Sequence, residues 1–482
     1  MPSRFNTVNV LFLNMPSGYP VKELHASLSG AHDIQKIIIL PRKQFTTHDN
    51  PLGSIFSRKY RNCIEDEIIK FFPHAEVIEM DFRNFDHRPK VSKSVSSKIQ
   101  VSVLCSINSY LRVSNKSELS WYWIKIYENL NILSNNIFLW FYDYLRENQN
   151  INLFCFNGRF CEELPSIEAA KLNASNYFVY DLKDHKTKTY YIFKNTSLHS
   201  FTENCRRAKR YYLKDVKLAN STAKKFMWNK VNGIDTYEKS YTSNQNAKLQ
   251  PGSKRIISIF PSSDDEYRFL GEEWNGLVVD QLSEIRSFLL NLEKISDYQI
   301  IIKMHPNMKT LSKKTLKKYF EFENHFAQVT VMRPNSKINT YDVINKSDLV
   351  VVFCSTVGVE ANYLRKRVIG IAGSPYFNLP IVNRAKSGSE AAKFFDSMDI
   401  KLKSKRASII WMNYLWKYSD ENAFIEYHLG TNKFIKSVKT AKRIGRVLTI
   451  PDRIAMIILQ SLRGVYPDMS RLVNLKKILK NQ

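Results

Sequence analysis

The sequence DLVVVFCSTVGVEA at Asp348–Ala361 decides the fold class. The apolar run after Asp348 predicts a buried strand, and Ser355 and Thr356 predict the start of a helix directly behind it. This arrangement is typical of a parallel sheet that helices cover on both faces, and such sheets bind ligands at the carboxyl ends of their strands. Backbone amides at the first turn, with Gly358 leaving room for a ligand, predict an anion site. The alternative is an ordinary capped helix behind a core strand.

Two further strands bring polar residues to the same sheet edge. Arg255–Phe260 precedes a polar loop, and Gln299–Met304 ends in His305-Pro306-Asn307. The imidazole of His305 can donate a hydrogen bond to a phosphate oxygen. The polar groups that we expect at this edge are those of Ser262, Ser263, Glu266, His305, Asn307, Ser355, Thr356, Gly358 and Glu360.

The carboxylates at 264–266 raise the possibility of a metal site. Three consecutive carboxylates cannot all point at one ion from a regular backbone, and the sequence offers no second cluster to complete an oxygen coordination shell. We therefore predict a polar loop before a helix N-terminus here and no metal, and we expect no cofactor.

The first half of the chain has the pattern of an irregular α/β domain. Predicted strands are Val8–Leu13, Ile37–Leu40, Val77–Met80, Lys98–Cys105, Asn152–Phe156 and Tyr177–Asp181, and a long amphipathic helix is predicted over 118–145. Residues 232–254 are polar and read as a connection between domains. The predicted domains are 1–250, 251–400 and a basic helical segment at 401–482.

The predicted strand Asn152–Phe156 is followed by Asn157-Gly158-Arg159, where the guanidinium is suited to clamp a carboxylate or phosphate. The alternative is a turn with an exposed arginine. Candidates for a general base are Glu168, Asp181 and His199, although no motif singles out one of them.

Composition gives a net charge of +27, from 72 Lys and Arg against 45 Asp and Glu, which favours polyanionic partners. About +12 of this charge lies in 401–482, as expected for a surface that contacts anionic lipid; a basic bias of the whole proteome is the alternative. The sequence shows no membrane span and no signal peptide, and its six cysteines form no CxxC pair. We therefore expect reduced thiols in a cytoplasmic protein, peripheral to the inner face of the plasma membrane.

In their order along the chain, these motifs resemble the capsule and surface-polysaccharide glycosyltransferases of bacteria with the GT-B fold. The resemblance rests on NGRF, SLH, FPSSDDE, HPN, STVGVEA and SPYF, and it covers about 150–380. STVGVEA is similar to the donor-phosphate loop of that group, and His305-Pro306 resembles the His-Pro of sialyl- and Kdo-type transferases. In place of the usual Gly-Lys, this chain has Lys366-Arg367.

The resemblance implies two Rossmann-like domains facing a central cleft and a metal-independent transfer of sugar. His305, Ser355, Thr356 and Gly358 would hold the donor phosphates, and Glu360 the hydroxyls of the ribose or sugar. Ser262, Ser263 and Glu266 would line the nucleotide site, while Asn157, Gly158 and Arg159 would face the acceptor or the sugar. The partners would be a CMP- or UDP-sugar and a glycan or lipid-linked glycan acceptor.

Two other functions remain open. A non-hydrolysing UDP-sugar epimerase would share the two-domain layout, although the NGRF loop and the basic tail fit it less well. A nucleic-acid-binding protein is suggested by charge alone, since no RNA-binding aromatic signature, zinc finger or basic heptad region is present. We therefore expect no nucleic acid partner.

Overall fold

In the computed structural model, the described residues are 7–13, 33–40, 72–82, 91–111, 119, 121–184, 189–232, 254–263, 269–311, 313–397 and 399–417. The chain divides into two compact units, Met1–Leu198 with Ser419–Gln482, and His199–Tyr418. Each unit contains its own six-stranded sheet. In the part of the chain that the structure describes, no helix combines the length and the apolarity needed to cross a membrane.

The first unit has the strands β1 (Val8–Leu13), β2 (Lys36–Ile39), β3 (Glu76–Glu79), β4 (Ile151–Phe156), β5 (Asn176–Asp184) and β6 (Thr189–Lys194). Its helices are α1 (Lys93–Leu111), α2 (Trp121–Glu147) and α3 (Glu163–Leu172). The strand order is β3-β2-β1-β4-β5-β6, and among the described strands of this sheet only β6 pairs antiparallel. β1 and β4 are central and almost wholly buried, which explains their continuous apolar sequences.

The second unit has the strands β7 (Arg255–Phe260), β8 (Tyr298–Lys303), β9 (Val329–Met332), β10 (Leu349–Val352), β11 (Arg367–Ile371) and β12 (Asn383–Ala385). Its helices are α4 (Phe201–Lys214), α5 (Val216–Val231), α6 (Gln281–Asn291), α7 (Lys313–His325), α8 (Thr340–Lys346), α9 (Val357–Tyr363), α10 (Gly388–Asp396) and α11 (Lys405–Lys417). The strand order is β12-β11-β10-β7-β8-β9, and every pair is parallel.

The two sheets share one topology. When the strands are counted within each unit, both orders are 3-2-1-4-5-6, the order of a doubly wound Rossmann-like sheet. The order in which successive strands are added to the sheet reverses between the first and fourth strands. These strands are β1 and β4 in one unit and β7 and β10 in the other. These switch points are where such sheets bind ligands. The α/β class with two Rossmann-like domains, predicted from the sequence, is confirmed.

The prediction of a strand at Lys98–Cys105 is wrong, because these residues lie within the 19-residue helix α1. Val95, Ile99, Ser102 and Ser106 are buried, whereas residues 100 and 101 are exposed. The buried positions therefore recur every three to four residues, as in a helix, and the short alternation seen in the sequence is part of this longer pattern.

The boundary between the units lies after Leu198, whereas the composition changes near residue 250. Helices α4 and α5 belong to the second unit because they pack against α11. The hydroxyl of Tyr414 on α11 donates to Asn204 on α4, and Arg406 lies over the ring of Tyr212. Of the predicted basic segment at 401–482, only α11 and the residues before it lie within the described part; the predicted connection at 233–253 lies outside it.

Candidate functional site

The switch point of the second unit is built by the chain immediately after β7 and β10. Ser262, after β7, donates from Oγ to the carbonyl of Phe353, after β10, so one hydrogen bond joins the two loops. The side-chain amide of Gln281 braces the same serine: Ser262 N donates to Oε1 and Gln281 Nε2 donates to Ser262 O, both at 2.8 Å. Ser262 and Ser263 are buried. Ser262 thus holds the two strand ends in fixed register.

Beyond β10 the backbone turns sharply. Cys354 adopts a left-handed conformation with φ of 52°, which is costly for a residue that is not glycine. The turn places Ser355 in a buried position and Thr356 in an exposed one. The N–H groups of Val357 and Gly358 donate to Oγ and O of Ser355, respectively.

The sequence predicts that backbone N–H groups at the first turn of α9 are available to bind an anion, whereas in the structure the N–H groups of 357–360 donate to acceptors within the turn. Besides Val357 and Gly358, residues 359 and 360 donate to the carbonyl of Thr356. All four amides from 357 to 360 therefore have acceptors within the turn, and the helix α9 spans only seven residues. The side chain of Thr356, which is exposed and makes no capping hydrogen bond, is one polar group of this turn that can face a ligand.

Close packing around Gly358 leaves no room for a side chain at this position, which the sequence alone does not indicate. A Cβ at this position would lie 2.5 Å from the hydroxyl of Tyr376 and 3.0 Å from Cγ2 of Val352. Tyr376 is buried and donates to the carbonyl of Ser355 at 2.7 Å. Burial raises the pKa of this hydroxyl, so it remains a donor. Tyr376 thereby locks the turn that carries Ser355 and Thr356.

Glu360 is buried, and its Oε2 accepts a hydrogen bond from the hydroxyl of Tyr341 at 3.1 Å. Its predicted contact with a sugar or ribose hydroxyl stays a prediction. Glu266 lies outside the described residues, as do its neighbours at 264 and 265.

His305 and Asn307 follow β8, the neighbour of β7 on the side away from β10. The Asn307 amide donates to Nδ1 of His305 at 3.2 Å, which assigns the proton of the neutral ring to Nε2. His305 is half-buried at the start of a 3₁₀ turn, Pro306–Thr310. Because neighbouring strands are about 4.8 Å apart, the ends of β10, β7 and β8 lie within about 10 Å of one another. The predicted convergence of these three loops is therefore present.

Lys303, the last residue of β8, is a buried cation beside this edge. Its Nζ donates to the carbonyl of Ile338 at 3.0 Å, and burial lowers its pKa to about 8. Within the described ranges, no group of three or more His, Cys, Asp or Glu lies close enough together to hold a metal ion. Metal independence stays a prediction.

The first unit has a polar group at its own switch point. Asn157 follows β4 in a left-handed conformation, φ 49°, and its Nδ2 donates to Oδ2 of Asp181 on β5 at 2.6 Å. The Oδ1 of Asn157 is buried and has no hydrogen-bond partner among the described residues. Gly158 has φ of 82°, and a Cβ there would lie 2.8 Å from Ile167. The structure thus brings together two residues that the sequence analysis named separately.

Arg159 follows Gly158 in the chain, and its buried Nε likewise has no hydrogen-bond partner in the part that the structure describes. Nearby thiols are buried: burial raises the pKa of Cys105 to about 11, against a smaller opposing effect of the Arg159 guanidinium. The five described cysteines are free thiols, as predicted, and four of them are buried.

The other two candidates for a general base have different surroundings. Glu168 is buried on α3, and each carboxylate oxygen is bound by a lysine, Lys98 at 2.9 Å and Lys171 at 2.6 Å. Because each oxygen of Glu168 is paired with a lysine, this carboxylate has a structural role. His199 is half-buried at the start of the second unit, and its carbonyl accepts from the indole of Trp274.

A known protein family matches the part of the chain that contains the second switch point. Residues 167–394 match the family described as capsule polysaccharide biosynthesis protein, a little under half of the chain. The match includes Asp181 and the complete switch point of the second unit. It confirms the resemblance to capsule-polysaccharide enzymes that the motifs predict. No curated protein matches the sequence significantly.

Among solved structures, the chain is similar to two Kdo transferases of Thermosulfurimonas dismutans. The KpsC β-Kdo 2,4 transferase has 13% identity and a TM-score of 0.35 over 54% of this chain and 78% of that one. The KpsC β-Kdo 2,7 transferase has 14% sequence identity and a TM-score of 0.35, and the match covers 63% of this chain and 89% of that one. UDP-GlcNAc 2-epimerase from Neisseria meningitidis, bound to UDP-GlcNAc, has 11% sequence identity and a TM-score of 0.27, and the match covers 89% of this chain and 99% of that one. Similarity at this level identifies neither substrate nor activity.

Proposed function

We propose that this chain is a metal-independent glycosyltransferase that moves a sugar from a CMP- or UDP-linked donor to a growing surface glycan of the capsule, O-antigen or lipopolysaccharide type. The observation that carries the proposal is the family match over 167–394, since that segment contains every described polar residue of the second switch point. The acceptor is a glycan or a lipid-linked glycan, and the protein works on the cytoplasmic face of the membrane.

The donor binds at the ends of β10, β7 and β8. His305 donates from Nε2 to a phosphate oxygen of the nucleotide, with Nδ1 held by the Asn307 amide. Thr356 supplies a hydroxyl, and Ser262 and Tyr376 hold the surrounding loops rigid. As the glycosidic bond breaks, negative charge grows on the leaving phosphate, and preorganised donors stabilise that charge.

The acceptor side is Asn157, Gly158, Arg159 and Asp181. Of the three candidate bases we favour Asp181, because it lies on β5 beside the end of β4, which borders the first switch point, and it accepts a hydrogen bond from the Asn157 amide. Glu168 already compensates two lysines. An inverting transfer needs such a group to accept the proton of the acceptor hydroxyl.

Two substitutions test the two sides separately. His305→Ala should weaken CMP or UDP binding in titration calorimetry and abolish turnover, while the circular dichroism spectrum shows that the fold is retained. Asp181→Asn should leave nucleotide binding intact and lower turnover by about 10²-fold or more, as expected for loss of a general base. Turnover is measured as release of CMP or UDP from the nucleotide sugar.

His325 provides a matched control for His305. It is an exposed histidine at the carboxyl end of α7, the helix that returns the chain from the end of β8 to the start of β9. His325→Ala therefore changes the opposite edge of the sheet and should leave binding and turnover as in the wild type. Wild-type turnover in His305→Ala would refute the donor site, and failure of both nucleotides to bind the wild-type chain would refute the transferase.

The same assay tests the epimerase alternative. Conversion of UDP-GlcNAc to its C2 epimer without release of nucleotide in the presence of acceptor would replace the transferase proposal. Binding of duplex DNA with a steep salt dependence, and no nucleotide-sugar chemistry, would favour the alternative based on charge.

A further inference from the structure

Helices α4 and α5 expose apolar side chains on a strongly basic surface. Between residues 201 and 232 the chain carries nine Lys and Arg against two Asp and Glu. The same stretch exposes five large apolar residues, Leu213, Val216, Leu218, Trp228 and Val231. The activity proposed above uses none of them.

On α5 the exposed residues form one continuous stripe. Lys217, Ser221, Lys224, Trp228 and Val231 follow one another at spacings of three and four, so they lie on the same face of the helix. The Trp228 side chain is 59% exposed. Lys224 and Lys225, four and three residues before it, are exposed beside it.

The corner between the helices carries the remaining apolar residues. All six residues from 213 to 218, Leu-Lys-Asp-Val-Lys-Leu, are exposed. Leu213 is 67% exposed although it is a large aliphatic side chain. Three aliphatic residues separated by two lysines and one aspartate thus project at this corner.

The opposite side of the helix pair is firmly packed. α11 contacts both α4 and α5, and Phe226 and Met227 on α5 are buried. The exposed face therefore belongs to a fixed part of the second unit, and its apolar groups are exposed in the folded state.

We propose that the exposed face of α4 and α5 binds the surface of an anionic phospholipid bilayer. Lysines interspersed with tryptophan and aliphatic residues on one helix face are suited to a membrane interface, where ammonium groups pair with lipid phosphates and apolar side chains enter the acyl boundary. Nucleic acid would satisfy the lysines but would leave Leu213, Val216 and Leu218 in water. The residues of this surface lie outside the predicted basic segment at 401–482, and the assignment of the surface does not depend on the transferase activity.

Sedimentation of the full chain with vesicles tests the proposal. The vesicles are phosphatidylcholine alone or a mixture of phosphatidylcholine with anionic phosphatidylglycerol. Wild-type protein should bind the anionic vesicles. Lys224→Gln with Lys225→Gln should weaken the partition about 30-fold, since each lysine near the surface contributes about 1 kcal/mol. Leu213→Ser should weaken it by about tenfold through loss of buried apolar area.

The chain offers matched controls within the same unit. Leu290 on α6 is 66% exposed, nearly the same as Leu213, and Lys317 and Lys318 form an adjacent exposed pair on α7. Leu290→Ser and the Lys317→Gln, Lys318→Gln double variant should bind vesicles as the wild type does. Equal losses in the test and control variants would overturn the proposal.

Two further measurements complete the design. Brominated lipid should quench part of the tryptophan fluorescence, and Trp228→Phe should remove that part; quenching that is unchanged in this variant would contradict the proposal. A loss of RNA binding in the Lys224, Lys225 variant with unchanged vesicle partition would show a nucleic-acid surface instead. Circular dichroism of each variant verifies that the fold is retained.

Discussion

At the scale of single residues, Lys303 is a buried amine at the edge of the candidate donor site. Burial lowers its pKa to about 8, whereas an unfolded lysine has a pKa of about 10.4. Between these two values the unfolded chain binds more protons than the native one, so this residue makes stability rise with pH in that window. As pH falls through this window that contribution is lost progressively, and the loss is complete below about pH 8, where the buried amine of the native state is charged.

Lys303→Met should remove this dependence. Relative to the variant, the wild type should gain about 2 to 3 kcal/mol of unfolding free energy between about pH 7 and about pH 10, as the pKa difference requires. Urea unfolding at the two pH values measures the gain, and Lys317→Met, at an exposed position, is the control. Parallel pH profiles for wild type and Lys303→Met would contradict the expected titration.

At the scale of elements, the turn from β10 into α9 depends on one tyrosine. Gly358→Ala should destabilise the protein by about 1 to 3 kcal/mol, because its methyl group would overlap the Tyr376 hydroxyl. In a Tyr376→Phe background the same substitution should cost clearly less, although Tyr376→Phe by itself loses about 1 kcal/mol with the hydrogen bond to Ser355. Denaturant unfolding of the four proteins measures the coupling. Additive effects would mean that the hydroxyl does not limit the space at Gly358.

The same elements show how far sequence reasoning reaches. The apolar runs of β7, β8 and β10 are predictable, and with them the positions of Ser262, His305 and Ser355 at the strand ends. The prediction from local sequence pattern is wrong at α1, because a short alternation of apolar and polar residues within this helix resembles that of a strand. It also missed β6, an antiparallel edge strand.

Contacts over long separations explain what remained hidden at the site. Tyr376 reaches Ser355 across 21 residues, and Gln281 reaches Ser262 across 19. No local pattern marks either residue as a support of the turn. In the first unit the Asn157–Asp181 hydrogen bond becomes visible only when β4 and β5 are paired.

At the scale of the whole molecule, the described part of the second unit contains its own core and its own switch point. Its buried cluster joins β7, β8, β9, β10 and β11 to α6, α7 and α10. A fragment of residues 199–418 should therefore fold by itself and unfold cooperatively.

If the donor site is as proposed, this fragment should bind CMP or UDP within about tenfold of the full chain, which corresponds to about 1.4 kcal/mol. It should transfer no sugar, because Asp181 and Asn157 lie in the other unit. Titration calorimetry and thermal unfolding check both expectations. A folded fragment without nucleotide affinity would show that the first unit supplies essential donor contacts.

The pairing of β7 with β10 has a kinetic consequence. The Ile256 amide meets the Asp348 carboxylate across 92 residues of chain, so the central pair of this sheet closes a long loop. Loop closure of that length opposes early formation, and parallel pairing of distant strands slows folding. During synthesis, the second switch point cannot be completed until β10 has left the ribosome. A nascent chain that stops before Asp348 would expose the apolar edge of β7, which makes this stage of biogenesis the one most open to aggregation.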